Sequence, residues 1–303
     1  MRLLSKLSHP NVIRLYGVVQ FNSTSHTHLS MVLEYASEGS VADYLRMHES
    51  VDWQGYKRDI ALGISAGMNY LHTQSEPILH RDLKTSNCLV TEWSEVKVCD
   101  FGAACLLSKD APETNEVIGS KYHMSPEMLS GDKYDQKTDI FAFGSLLADI
   151  GMGGNLQRLF TNRPNGPKAF DFNEFIIQGW RPPLPNAWMV EMPVIADLIG
   201  RCWRKEPSER PTFREIKSIL RNWSGKLTRK LSDSAVLRAT TEYTEDESLF
   251  FRQQLSLNEN LNEPPDNFRK NKHVRLDEER RAKSEGQKER LERRRAGAKR
   301  QLH

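Results

Sequence analysis

A chain of 303 residues, 38% of them apolar, can bury a sizeable core in its first two thirds, which excludes a wholly disordered protein. No apolar run approaches the roughly 20 residues that span a bilayer, and no uninterrupted apolar stretch opens the chain. A transmembrane segment and a secretory leader are therefore not expected, and the expected compartment is the cytoplasm, with the nucleus as the alternative. The net charge of +3 hides an asymmetry, because the last thirty-odd residues are rich in Lys and Arg while the rest leans acidic.

In chain order, residues 12–19 and 30–35 are short, β-branched or apolar runs separated by a polar stretch, and they predict neighbouring strands of a hairpin. Residues 40–47 and 54–72 carry apolar side chains at helical spacing. Ile60, Ile64, Met68 and Leu71 fall on one face of the longer segment, which predicts a core helix. Two short strands are expected over 88–91 and 96–99 around a Glu-Trp-Ser turn, after which the pattern is largely helical to Trp223, punctuated by Pro182-Pro183 and Pro207. From Ser224 the composition buries too little apolar area to offset chain entropy, so residues 224–303 are expected to be disordered or transiently helical. Pairs such as Asp277 with Arg281 support such a helix by about 0.2 to 0.5 kcal/mol each. The basic tail reads first as a solvated segment, and only weakly as a nuclear-import, RNA or anionic-membrane element. Its lack of interleaved aromatics beyond Phe268 argues against base stacking. The four cysteines form no C-x-x-C pair, so reduced and mostly buried thiols are expected in place of a disulfide framework or zinc site. Two of them, Cys88 and Cys99, flank the candidate site; for Cys99 an inert buried thiol is favoured over one open to electrophiles.

The chemistry concentrates in His80-Arg81-Asp82-Leu83-Lys84-Thr85-Ser86-Asn87 and in Asp100-Phe101-Gly102. The first run resembles the catalytic loop of the protein kinase family and the second its metal-binding triplet, in the family's order. The resemblance implies ATP and Mg²⁺ as cofactors and protein substrates. Asp82 would accept the proton of the substrate hydroxyl, Lys84 would offset charge on the transferring phosphate, and Asn87 and Asp100 would hold magnesium. Arg81 would meet a phosphate on the activation segment, 100–127, placed there by an upstream kinase. Ser108, Thr114, Ser120 and Tyr122 are the acceptors on offer, with Thr114 and Ser120 preferred. Ser125-Pro126-Glu127 resembles the family's Ala-Pro-Glu, and Arg210 matches the arginine that pairs with that glutamate. Asp139 matches the helix aspartate that holds the catalytic-loop backbone. These three residues, Glu127, Asp139 and Arg210, are structural.

His9-Pro10-Asn11-Val12, Leu33-Glu34-Tyr35-Ala36, Gly179-Trp180-Arg181-Pro182-Pro183 and Cys202-Trp203 are similar to the tyrosine-kinase-like branch, relatives of Raf and mixed-lineage kinases. The resemblance covers residues 1–223 and implies an α+β fold with a mainly helical C-terminal lobe and a truncated N-lobe sheet. Leu33 falls at the gatekeeper, the backbone of Glu34 and Ala36 would bond adenine, and Leu89 would pack beneath it. Lys84 favours Ser/Thr substrates over Tyr. The Gly-rich loop, the strand lysine and its helix glutamate have no counterpart, the glutamate's place falling just ahead of Met1. Leu4 and Leu7 are then expected as the remnant of a helix, packing toward Leu15 and Phe101. A fragment of a longer kinase, with transfer far below that of a complete domain, is the favoured expectation; a catalytically impaired interaction module is the alternative.

Overall fold

The computed structural model describes residues 3–22, 27–48, 52, 53, 55–108, 113–161 and 172–223. The expected boundary at 223 and the disordered or transiently helical tail, 224–303, lie outside the described residues.

The chain enters through a 3-10 turn, Leu4–Lys6, where an α-helical remnant was expected; Leu4 and Leu7 are nonetheless buried in the main apolar cluster, against which Leu15 and Phe101 also pack. β1 (Leu15–Asn22) and β2 (Thr27–Leu33) form an antiparallel hairpin, pairing Val18 with Met31, with a register shift between Leu15 and Gly17. The hairpin starts three residues later than expected because Val12 and Ile13 are drawn into the large lobe. Val12 bridges Val98 in parallel, and the Ile13 amide donates to the Val98 carbonyl at 2.9 Å. Asn11 secures this crossover, donating its side-chain amide to the Val96 carbonyl at 2.9 Å. Gly67 lets the strand approach, since a Cβ there would lie 2.5 Å from the Asn11 carbonyl oxygen. The hairpin leaves Tyr16, Val18, Leu29 and Met31 exposed, as a short sheet implies.

α1 (Val41–Met47) starts where Ser40 accepts from the Asp43 amide, a cap that satisfies one of the orphan donors. α2 (Tyr56–His72) buries the predicted stripe completely, with Ile60, Ile64, Met68 and Leu71 all inaccessible. Its far side packs on α9 (Phe213–Asn222), whose Thr212 and Glu215 form a reciprocal capping box and whose Phe213, Ile216 and Leu220 are buried. α4 (Lys137–Gly151), which also touches α2, is buried at every residue from Thr138 to Ile150 and so is the central helix of the lobe. After the short helices α5 (Gln157–Thr161), α6 (Phe172–Ile177) and α7 (Asn186–Glu191), α8 (Pro193–Cys202) crosses α4 closely at Gly144, where a Cβ would stand 2.8 Å from that of Cys202.

Two short ladders position the site. β3 (Ile78–Leu79) precedes the 80–87 loop, and β4 (Cys88–Val90) and β5 (Val96–Val98) follow it as an antiparallel pair. β6 (Cys105–Leu106) returns to pair with β3, pinning the start of the activation segment beside the loop; periodicity could not reveal so short a ladder. α3 (Pro126–Ser130) then starts at the Ser-Pro-Glu motif, with proline at its first position.

Candidate active site

The 80–87 loop hangs from one buried carboxylate. Asp139 accepts from the backbone amides of His80 and Arg81, each at 2.9 Å, and lies 2.8 Å from His72 Nε2. Burial alone would raise the Asp139 pKa, but the bonds from His72 and His80 outweigh it and hold the group below its ordinary value. These bonds support Arg81 at φ 65°, a left-handed conformation unfavourable for a non-glycine residue. Leu83, fully buried, anchors the next turn. Thr85 bonds Asp149, whose second oxygen accepts from the Leu156 amide at 2.7 Å. The loop is thus tied to α4 near both ends.

Asp82 is held between three donors. Lys84 Nζ approaches Oδ2 at 2.7 Å, Asn87 Nδ2 donates to Oδ2 and to the Asp82 carbonyl at 2.8 Å each, and Ser120 Oγ donates to Oδ1 at 2.7 Å. Burial pushes the Asp82 pKa up, and the bonds from Lys84, Ser120 and Asn87 more than reverse it, so the carboxylate is ionised at neutral pH. Lys84 also donates to Ser120 Oγ at 2.7 Å, which closes a triangle of Asp82, Lys84 and Ser120. Gly119 permits this contact: its φ is 122°, and a Cβ on it would lie 2.4 Å from the Arg81 carbonyl oxygen.

Asp100 is brought to Asn87 by the β4–β5 hairpin, because the Cys99 amide donates to the Asn87 carbonyl at 2.9 Å. Its φ of 60° turns the chain, and its exposed carboxylate lies 3.3 Å from the Gly102 amide. His80 braces the same backbone from inside, its Nε2 lying 2.8 Å from the Cys99 carbonyl and its ring 5.3 Å from that of Phe101. Burial and the neighbouring Asp100 push the Cys99 thiol up to about 12. Alkylation of native protein near pH 7.5, followed residue by residue by mass spectrometry, should therefore label Cys99 roughly a thousandfold more slowly than an unperturbed thiol.

On the opposite rim, the Glu34 amide donates to the Arg14 carbonyl at 2.8 Å, and the Glu34 carboxylate is paired with Lys97 at 2.8 Å. Ala36 is half-buried beyond it. Leu89 on β4 bridges to Ser40, which brings it beside this connection. Lys97, buried between Glu34 and Glu95, escaped sequence reasoning because it sits in a strand with no motif around it.

The activation segment meets the loop and the lobe through several of its side chains and backbone groups. Arg81 pairs with the Glu116 carboxylate at 2.6 Å. Thr114, half-buried, is bonded through its backbone to Tyr134 on both sides, at 3.0 and 2.8 Å. Tyr122 stacks on Phe160 with ring centroids 4.7 Å apart, so it is packed in the lobe. Glu116 and Tyr134 carry no sequence periodicity that would single them out; Gly119 directly before Ser120 was the available clue to the close approach. The architectural pair lies as expected: Arg210, wholly buried, makes a bidentate contact with Glu127 at 2.6 and 2.8 Å.

Residues 1–220 match the protein kinase domain family. The chain is 36% identical over 221 residues to a probable serine/threonine-protein kinase of Dictyostelium discoideum, an alignment covering 73% of the chain and 22% of that protein. It is 34% identical over 223 residues to the serine/threonine/tyrosine-protein kinase HT1 of Arabidopsis thaliana, covering 73% and 53%. Bovine mitogen-activated protein kinase kinase kinase 7 is 33% identical over 225 residues, covering 73% and 36%. The chain thus spans about a fifth to a half of the length of these relatives. With the match running from its first residue into α9, the chain belongs to the protein kinase family, and its relatives accord with the tyrosine-kinase-like branch.

Proposed function

We propose that the chain transfers the γ-phosphoryl group of ATP to serine and threonine hydroxyls of protein substrates. One observation carries the reading: an aliphatic hydroxyl, that of Ser120, already sits 2.7 Å from both Asp82 and Lys84. The pair therefore accommodates a short alcohol, with a carboxylate to accept its proton and an ammonium beside its oxygen. The Dictyostelium relative named a probable serine/threonine-protein kinase supports the same acceptor class.

Asp82, with its lowered pKa, is a weak base, so its main contribution is to orient the acceptor hydroxyl; it takes the proton as the oxygen commits to phosphorus. Lys84 offsets charge on the transferring group. Asn87 and Asp100 fit a magnesium ion. The amide spends its N–H groups on Asp82 and keeps its oxygen, while Asp100 offers an exposed carboxylate. Two protein oxygens suit magnesium, which usually takes one or two of them and completes its shell from water and phosphate. Magnesium, when bound, would neutralise phosphate charge. Glu34 and Ala36 would offer backbone groups to adenine, and Leu89 an apolar floor.

Incubation with γ-labelled ATP, Mg²⁺ and a mixed protein substrate should yield phosphoserine and phosphothreonine, and phosphotyrosine alone would overturn the acceptor assignment. Ser120 gives a second check. Ser120→Ala removes a bridge and should lower kcat about tenfold, whereas Ser120→Glu sets a carboxylate against Asp82 and should lower it at least a hundredfold. Equal activities of the two variants would contradict the arrangement.

A further inference from the structure

Arg81 has a buried guanidinium, its side chain only 6% exposed, and such a cation needs an anion. Its sequence context calls for a phosphate, yet Glu116 Oε2 stands 2.6 Å from Nη1 while Nε donates to the Ala103 carbonyl at 2.5 Å. Burial does not hold the Glu116 side chain in place, since it is 68% exposed. Its backbone is held instead. Tyr134, itself buried, donates its hydroxyl to the Glu116 carbonyl at 2.5 Å, and Thr114 forms its backbone bridge with the same tyrosine. Four residues past Glu116, Ser120 reaches Asp82, the residue next to Arg81. The loop and the segment are therefore joined twice, through Arg81–Glu116 and through Asp82–Ser120, in one closed ring.

We propose that Glu116 is a positioning residue that supplies from within the chain the negative charge Arg81 requires, so that the activation segment holds Asp82 in place without phosphorylation. It acts through Arg81 and touches no reacting atom. One carboxylate replaces the phosphate as the acceptor of a charge-assisted bond from the guanidinium. The inference names the regulation of the site proposed above, and rests on that reading in its kinetic arm alone.

The test uses the full chain after phosphatase treatment, with mass spectrometry verifying that it carries no phosphate. Amide hydrogen exchange over 113–120 and steady-state kinetics with Mg²⁺-ATP and a serine peptide are compared for wild type, Glu116→Gln and Glu116→Asp. Wild type should be protected over this segment. Glu116→Gln should raise exchange about tenfold and lower kcat by up to about a hundredfold, with KM for ATP within about twofold of wild type. Glu116→Asp, which keeps the charge, should recover much of both, a rescue that a purely steric role would not give. Exchange unchanged in Glu116→Gln, or protection gained by wild type only on phosphorylation, would overturn the inference. Glu116-dependent protection in a protein that transfers no phosphate supports the inference and rejects the transfer reading.

Discussion

Asp82→Asn should lower kcat by about 10²–10⁴ while leaving KM for ATP nearly unchanged. The substitution keeps the size of the side chain and removes the charge and the proton-accepting oxygen. The loop should survive it, because its backbone hangs from Asp139 and Leu83 rather than from Asp82. What changes is the triangle: Lys84 and Ser120 lose the anion to which both donate. The acceptor hydroxyl is then neither oriented nor relieved of its proton. A pH profile separates the two roles. Activity requires the ionised carboxylate, and the Asp82 pKa lies below its ordinary value, so the acid limb of wild type should fall below the usual aspartate range near 4. Wild-type chromatographic behaviour with unchanged turnover in Asp82→Asn would assign the chemistry elsewhere.

Arg210→Met should cost about 3–5 kcal/mol of stability, read as a lower urea midpoint with little change in slope. Arg210 is wholly buried and uses its full donor set, giving Glu127 a bidentate pair and bonding the carbonyls of Arg204, Lys137 and Lys205 at 2.9, 3.0 and 3.0 Å. Methionine strands three carbonyls and a carboxylate that is only 11% exposed. It also vacates the face of Phe141, over which the guanidinium lies at 5.2 Å. Lysine at this position should not rescue, since an ammonium cannot reproduce the planar fork. The loss depends on pH with a definite sign. Burial raises the Glu127 pKa and Arg210 lowers it by more, so the folded value sits below the unfolded one. The stabilisation is present above the ordinary glutamate pKa near 4.3 and fades as pH falls through the depressed folded value. The gap between wild type and Arg210→Met should therefore narrow below about pH 4, and a gap constant down to pH 3 would contradict the charge-based account.

The helical half was legible where pattern and packing agree. Ile60, Ile64, Met68 and Leu71 read as one face and are all buried. The strand starts slipped where a non-local partner competed: Val12 and Ile13 have strand composition but pair with Val98, far along the chain, while the hairpin takes the residues after them. β3 and β6 are two residues each, too short to carry a period. In the site, a tight loop sets Asn87 against Asp82 and the next hairpin bonds the backbone beside Asp100 to Asn87, so residues close in sequence are also close in space. Arg81 was legible as a cation in search of an anion, and Glu116 was not, since 35 residues of loop and strand separate them. Ser120 reads in sequence as one loop hydroxyl among several; only folding around Gly119 sets it against Asp82 and Lys84.

Calorimetric titration of ATP into the full chain, with and without Mg²⁺, for wild type and Asp100→Ala, probes the central assignment most directly. Wild type should bind the nucleotide at least tenfold more tightly when magnesium is present, and Asp100→Ala should lose most of that difference while keeping the metal-free affinity. Magnesium-independent binding in wild type, or an undiminished magnesium effect in Asp100→Ala, would show that Asn87 and Asp100 do not form the metal-bearing side of a phosphoryl-transfer site.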